Sequence, residues 1–485
     1  MYFWNNWVVL FLSCIFIHGI VRGQTSADNL RLNSQLNSYA VNFGQLMQTR
    51  GVSNNWFERN GAVTGEDLQD CLDRRNNQDN LFDQSRGLEV EDDSSRFRKT
   101  IFKECFLFYF HKNDTLYGYI IRTNQPMVSF TSVVSADSLL LLEYYLKRYL
   151  VPSFKEQSVI ATRGPVSIEG SVALSFDSIN IIISQILFPQ EIRGALSGIR
   201  FLNIIPVLNI GSIPFYILKP FGNNSFLVDS MCVVINHNPT HTIEVTRSFL
   251  KENDFLNNWQ HLDFSGKYVF TPINPIVIGN PSKASYCNEK FSSLDGAEIE
   301  AINVAKILKV DPLIGNEAII DSVILKARGS DFLYLATHAW ANTKNPMDSS
   351  FLLLVNSDGS CARWSPREIQ NDSLLKGALV ILSACESGQG GVLNAGVIGL
   401  SRAFIKSGAQ NVIYSMWPVQ DVATSEIMLL FLNELEISQP FFPAENLRQA
   451  ILKYKQSNPS PQTWGAFSII GVPFPSALDM KLQTN

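Results

Sequence analysis

A thiol is mostly protonated at neutral pH, and an imidazole close by raises the share of reactive thiolate. His338 and Cys385 are candidates for such a pair. His338 ends the apolar run Asp331 to His338 (DFLYLATH), and Cys385 ends Ala378 to Cys385 (ALVILSAC). The chemistry they could do together is acyl transfer: the sulfur attacks a carbonyl carbon and the imidazole protonates the leaving amine. Taken singly, each residue has a plainer reading. A cysteine closing a buried strand ordinarily fills space, and a histidine at a strand end is ordinarily a solvated tip. The pair argues for chemistry because both close apolar strands and both run into loop-like sequence.

Such a pair needs strands that bury their bodies and expose their ends. The C-terminal part of the chain supplies a series of them. Ile276 to Gly279 reads as a short buried strand ended by Asn280-Pro281. A helix follows with Ala297, Ala301, Val304, Ala305 and Leu308 on one face, then a second with Ile320, Val323, Ile324 and Ala327, with Gly329 placed as its C-cap. After DFLYLATH comes a hairpin-like stretch, Phe351 to Val355, turning at Ser357-Asp358-Gly359. ALVILSAC is followed by a helix expected around Ala395 to Ser407, a strand at Asn411 to Met416, helices at Val422 to Leu435 and Ala444 to Gln456, and a last strand at Ala466 to Ile470. Apolar strands alternating with helices indicate a parallel sheet covered on both faces, with reactive groups at the carboxyl ends of its strands. Upstream, Phe106 to Phe110 and Thr115 to Ile121 read as a hairpin. Ser138 to Leu150 reads as a helix, and Ile199 to Leu208 and Met231 to Ile235 read as buried strands.

The local sequences around the two residues resemble the two catalytic motifs of CHAT domains, caspase-like relatives of separase. They are Ala336-Thr337-His338 and Leu382-Ser383-Ala384-Cys385-Glu386-Ser387-Gly388. The run Gly396 to Phe404, then Gly408-Ala409, then Ser415 to Asp421 is similar too, as are Trp464-Gly465-Ala466-Phe467, Ile278-Gly279-Asn280-Pro281 and Ile213-Pro214-Phe215. The likeness runs from about Phe106 to Pro473. The separation of His338 from Cys385, 47 residues, is near the roughly 50 of a caspase-type order. The resemblance implies an α/β fold with a caspase-like, mostly parallel sheet, helices on both faces, and an upstream α+β pseudo-caspase-like subdomain.

It also implies roles. His338 would be the general base and acid, and Cys385 the nucleophile of a cysteine endopeptidase acting on protein or peptide substrates. The backbone N–H groups of Ala339 and Cys385 would form the oxyanion hole. Glycine is common in the family where Ala339 stands, so Ala339 would be strained if that position needs positive φ. Asp421 matches an acidic residue of separases that pairs with a basic P1 side chain, in a Trp-x-Val-x-Asp stretch. As a bare residue it reads equally well as the N-cap of the helix from Val422. Glu386 beside the thiol reads as a solvated rim residue, since a carboxylate there would raise the thiol pKa. The run Gly388-Gln389-Gly390-Gly391 reads as a flexible loop over the thiol rather than a phosphate nest, as no Lys-Ser/Thr follows. Two rival readings stand beside the peptidase: a catalytically silent caspase-like scaffold, and a transpeptidase using the same dyad.

Several function classes are disfavoured. A net charge of -5 over 485 residues, with no dense Lys/Arg run, offers no general or local electrostatic pull toward nucleic acid. HExxH and GxxxxGK[ST] are absent, so no motif encodes metal or nucleotide chemistry, and no cofactor is expected. The apolar run Trp7 to Val21 has the length of a signal-peptide core and is short for a membrane span. Val21-Arg22-Gly23 is a passable cleavage site, although residues 1–6 carry no Lys or Arg. The expected organisation is a signal peptide (1–23), a polar, partly helical region (24–98), an upstream α+β half (99–270), a caspase-like catalytic half (271–474) and a tail (475–485). The mature chain would be secreted with no stable membrane span; an uncleaved N-terminal anchor is the alternative. Beyond the leader, six cysteines remain, compatible with disulfides in an exported protein.

Overall fold

The computed structural model describes residues 104–122, 125–151, 175–222, 225–236, 272–284, 287, 291–371, 375, 377–384, 390–393, 396–419, 421–437 and 442–472. The apolar leader and the polar region after it lie outside these residues, as does the helical spacing of Leu30 to Met47. Among the described residues no helix is long and apolar enough to cross a membrane.

The upstream half begins with an antiparallel meander, β1 (Glu104–Lys112), β2 (Thr115–Arg122) and β3 (Gln125–Val133). Its first turn uses Asn113 and Asp114, both at positive φ (51° and 52°), which short polar side chains tolerate. Helices α1 (Ala136–Leu150) and α2 (Phe176–Leu187) are N-capped by Ser135 and Ser175, whose hydroxyls accept from the amides of Ser138 and Ser178. Strands β4 (Phe201–Ile205) and β5 (Cys232–Ile235) complete this half, with β1, β4 and β5 mutually parallel. Strand β4 is shorter than the apolar run suggested. Pro206 follows it, and Leu208 turns the chain at φ 52°.

The downstream half contains β6 (Pro275–Gly279), α3 (Asp295–Leu308), β7 (Leu313–Ile314), α4 (Ile320–Ala327) and β8 (Phe332–Ala336). After them come β9 (Ala339–Trp340), β10 (Phe351–Val355), β11 (Cys361–Trp364), β12 (Ala378–Ser383), β13 (Gly390–Leu393), β14 (Gly396–Gly399) and α5 (Leu400–Lys406). The chain closes with β15 (Ala409–Ser415), α6 (Asp421–Ile437), α7 (Pro443–Ser457) and β16 (Phe467–Gly471). Strands β8 and β15 are buried along their whole length, as is β12 up to its last residue, the signature of a sheet covered on both faces. Helices α3, α6 and α7 form one packed group, while α5 packs against both β15 and the Pro366–Asn371 helix. Gly279 is needed where α3 crosses β6, since a Cβ there would sit 2.4 Å from that of Ala301.

All these strands except β9 to β11, β13 and β14 join one eleven-stranded sheet in the order β3-β2-β1-β4-β5-β16-β15-β12-β8-β6-β7. The fold is α/β and the sheet mostly parallel. Within this mostly parallel sheet, β16 is antiparallel to β15 while parallel to β5. A correction concerns the helix expected around Ala395 to Ser407. Only Leu400–Lys406 is helical, and the residues before it form the antiparallel β13–β14 ribbon. Gly396 and Gly399 are poor helix formers, and Val392, Val397 and Ile398 favour extended backbone. Gly390 and Gly391, expected in a flexible loop, are therefore paired strand residues; Gly388 and Gln389 lie outside the described residues.

Candidate active site

Strands β8 and β12 are hydrogen-bonded neighbours running parallel, and Ser383 pairs with Ala336. The chain therefore leaves both strands at the same edge of the sheet, two residues before His338 on one side and two residues before Cys385 on the other. Cys385 and Glu386 lie outside the described residues. Ala384 is described: it is buried, and its carbonyl accepts from Ser415 Oγ at 3.0 Å. That bond ties the approach to Cys385 to the end of β15, a role the sequence did not suggest for Ser415.

The backbone of His338 is pinned from both sides by one residue of β10. Thr337 Oγ1 donates to the Leu353 carbonyl at 2.8 Å, and Leu353 N donates to the His338 carbonyl at 2.9 Å. A trans peptide points its C=O and N–H in opposite directions. With the His338 carbonyl turned toward β10, the Ala339 N–H points away from that hairpin. Ala339 sits in β9 opposite Leu352 and is not among the residues at positive φ. The strain expected for a non-glycine residue there does not arise, because extended backbone suits alanine.

The imidazole is oriented by a segment that sequence reasoning missed. His338 Nε2 lies 2.9 Å from the Ser292 carbonyl, and the Phe291 ring lies 5.5 Å from the imidazole. A carbonyl only accepts, so Nε2 carries a hydrogen; in the neutral ring Nδ1 is then the free acceptor. The Ser292 segment is in turn organised by Asn280, a fully buried residue at φ 46° just past β6. Asn280 Nδ2 donates to Ser293 Oγ (3.0 Å) and Glu298 (3.1 Å), and its Oδ1 accepts from Leu294 N (2.8 Å) and Ser282 Oγ (2.8 Å). The Asn-Pro pair marked only a strand end in the sequence; the Asn280 side chain is what holds the residues next to Ser292. Beneath the edge, Tyr334 on β8 donates to Glu300 at 2.6 Å and is also bonded by Ser383. Burial, then the Glu300 charge, push this phenol well above its ordinary range, so it acts as a fixed donor.

Asp421 is the first residue of α6, one residue earlier than the expected helix start. It follows β15, whose carboxyl end lies at the same edge as those of β8 and β12. The Trp417 indole, fully buried, donates to the Gln462 carbonyl at 2.9 Å and fixes the chain before it. Cys287 and Cys361 form a disulfide joining the Ser292 segment to β11. Cys105 and Cys232 are buried thiols, and burial raises the pKa of both, which keeps them protonated and unreactive. Among the described residues no group of His, Cys, Asp and Glu could hold a metal ion.

A family model for the CHAT domain matches residues 182–472, more than half of the chain. Curated relatives include tetratricopeptide repeat protein 28 of Homo sapiens, 24% identical over 293 residues, which cover 53% of this chain and 11% of that protein. The Mus musculus protein of the same name is 26% identical over 238 residues, covering 40% of this chain and 9% of that one. The chain thus spans about a tenth of the length of these relatives. Among solved structures, the Saccharomyces cerevisiae separase–securin complex matches at 9% identity and TM-score 0.47, over 89% of this chain and 33% of that chain. The Arg specific cysteine proteinase gingipain R matches at 9% identity and TM-score 0.38, over 64% and 70%. The chain belongs to the CHAT domain family.

Proposed function

We propose that this CHAT-family chain is a cysteine endopeptidase with His338 and Cys385 as its dyad. The observation that supports this most is the β8–β12 register, with Ser383 opposite Ala336 and both strands opening at one edge. Nδ1 of His338 takes the Cys385 proton, and the thiolate attacks the scissile carbonyl carbon. The N–H groups of Ala339 and Cys385 receive the resulting oxyanion. The imidazolium then gives its proton to the departing amine, leaving a thioester on Cys385. Water, deprotonated by His338, releases the acid and restores the thiol. Asp421, at the edge of the same strand ends, recognises a basic P1 side chain by charge-assisted hydrogen bonds.

The disulfide favours action in an oxidising compartment, in keeping with export by the apolar leader at Trp7 to Val21. The test is a peptide-library cleavage assay on the mature protein beside Cys385→Ala. Cleavage is expected to disappear in the variant while far-UV circular dichroism is unchanged; undiminished proteolysis would end the proposal. If Asp421 selects P1, Asp421→Asn weakens cleavage after Lys and Arg but not after other residues. An equal loss on all substrates would assign Asp421 to the start of α6 instead. A scaffold without catalysis predicts that a thiol-reactive peptide probe labels Cys385 no faster than it labels other thiols.

A further inference from the structure

The groups that orient His338 lie in sequence between β6 and α3, where the described residues have three anchors. Asn280 holds Ser293 and Leu294. Cys287 is bonded to Cys361 on β11, 74 residues away in sequence. The Phe291 ring sits between the imidazole and Phe351, which it meets edge-on at 6.2 Å, and Phe351 is covered by the Arg363 guanidinium at 4.7 Å. Phe291 N donates to the Cys287 carbonyl at 3.2 Å, so the cross-linked residue is hydrogen-bonded directly to the residue whose ring lies against His338. Ser292 itself is exposed and has little packing of its own to hold its carbonyl in place. The β10–β11 hairpin thus reaches His338 twice: through the backbone at Leu353, and through the disulfide and Phe291.

We propose that the Cys287–Cys361 disulfide is a positioning device for His338, fixing Phe291 and Ser292 against the imidazole, and that peptide cleavage requires this bond to be oxidised. The inference rests on the dyad reading above. It gives the site two opposite redox requirements, a reduced thiol at Cys385 and an oxidised pair at Cys287 and Cys361. A dithiol reductant undoes the clamp by thiolate attack on Sγ of Cys361, the half-buried partner, since Cys287 is fully buried. An S–S bond forms between reductant and Cys361, and Cys287 leaves as a thiolate and is protonated. The second thiol of the reductant then displaces Cys361, giving two protein thiols and one oxidised reductant. Ser292 loses its anchor, and the imidazole loses the fixed acceptor that orients it.

The experiment compares the mature protein with Cys287→Ser/Cys361→Ser, Phe291→Leu, Phe291→Tyr and His338→Ala. Readouts are kcat and KM on a cleaved peptide and the pH profile of Cys385 alkylation by iodoacetamide, with circular dichroism as the folding check. The double variant and Phe291→Leu should lose about 10- to 100-fold in kcat with KM nearly unchanged, as misplacement of a catalytic group does. Their alkylation profiles should move toward that of an unassisted thiol, whereas Phe291→Tyr, which keeps the ring, should stay close to the parent. Parental kcat and alkylation profile in folded double variant and Phe291→Leu would overturn the inference; if the double variant does not fold, Phe291→Leu decides. His338→Ala separates the two levels of argument. If it alkylates like the parent, the dyad itself fails; if it alone is slowed, only the clamp fails.

Discussion

The carboxyl ends of β4 and β8 are corresponding places in two parallel half-sheets, and they are finished in opposite ways. After β4 nearly every residue from Pro206 to Leu218 is buried, and the polar groups there bond to one another. Asn209 Nδ2 and Ser212 Oγ donate to the Glu143 carboxylate at 2.6 and 2.5 Å, and Lys147 lies 2.6 Å from it. After β8, Thr337 is buried, His338 and Ala339 are half-buried, and Trp340 is 57% exposed. Because β16 reverses direction between the halves, these two ends lie on opposite edges of the sheet. One half has closed its strand ends and packs as a buttress: the 210–212 turn lies against β14, and Gly465 leaves room for Ile217. The other half leaves the end of β8 open. A shared architecture does not by itself make a site; the residues just past the strand do.

This contrast can be broken by substitution. His338→Ala should have the largest effect, lowering kcat/KM by about 10³-fold or more, on the scale of losing a catalytic group, with the thermal midpoint nearly unchanged. Glu143→Ala should do the reverse. It leaves a buried amide and hydroxyl without their charged acceptor, costing about 3 kcal/mol, read as a lower denaturation midpoint. Activity per folded molecule should hold. A large activity loss from Glu143→Ala at temperatures where the protein stays folded would mean that the upstream half shapes the site directly.

Gly408→Ala sharpens the comparison within the downstream half, at the amino rather than the carboxyl end of β15. Gly408 has φ 106°, and a Cβ there would stand 1.9 Å from the Leu375 carbonyl oxygen. A loss of about 2 kcal/mol is expected, seen in chemical denaturation, without a selective fall in kcat. The smallest effect should come from Lys406→Met. Burial lowers the Lys406 pKa from an ordinary 10.5 to about 8, so at pH 7 the folded state holds a partly desolvated charge. Between pH 8 and 10.5 the unfolded chain binds more protons, and parental stability rises with pH. The variant should gain no more than about 1 kcal/mol at pH 7, given the partial exposure of the group, and that gain should shrink as pH rises through this window.

Much of this was legible because it is local. Phe332–Ala336 and Ala378–Ser383 announce themselves as apolar runs, the turn at Asn113 and Asp114 is residue chemistry, and Gly329 supplies the positive φ just past the C-cap of α4. What the chain could not announce was pairing at a distance. No spacing rule links Cys287 to Cys361, or Ser292 to His338, 46 residues on. The direction of β16 depends on which neighbour its short apolar run meets, and periodicity is silent on neighbours. The helix expected before Ser407 failed because glycine and β-branched residues at 396–399 outweighed the helical spacing of the apolar side chains.

The seam of the sheet has a consequence for synthesis. Strand β16 joins β5 to β15, and both partners precede it in the chain. Until Phe467–Gly471 leaves the ribosome, each half presents a bare, apolar strand along its inner border, the kind of edge that recruits other chains. A nascent chain interrupted before this strand would therefore carry two sticky borders and no completed sheet, which makes early termination products natural targets for chaperones and degradation.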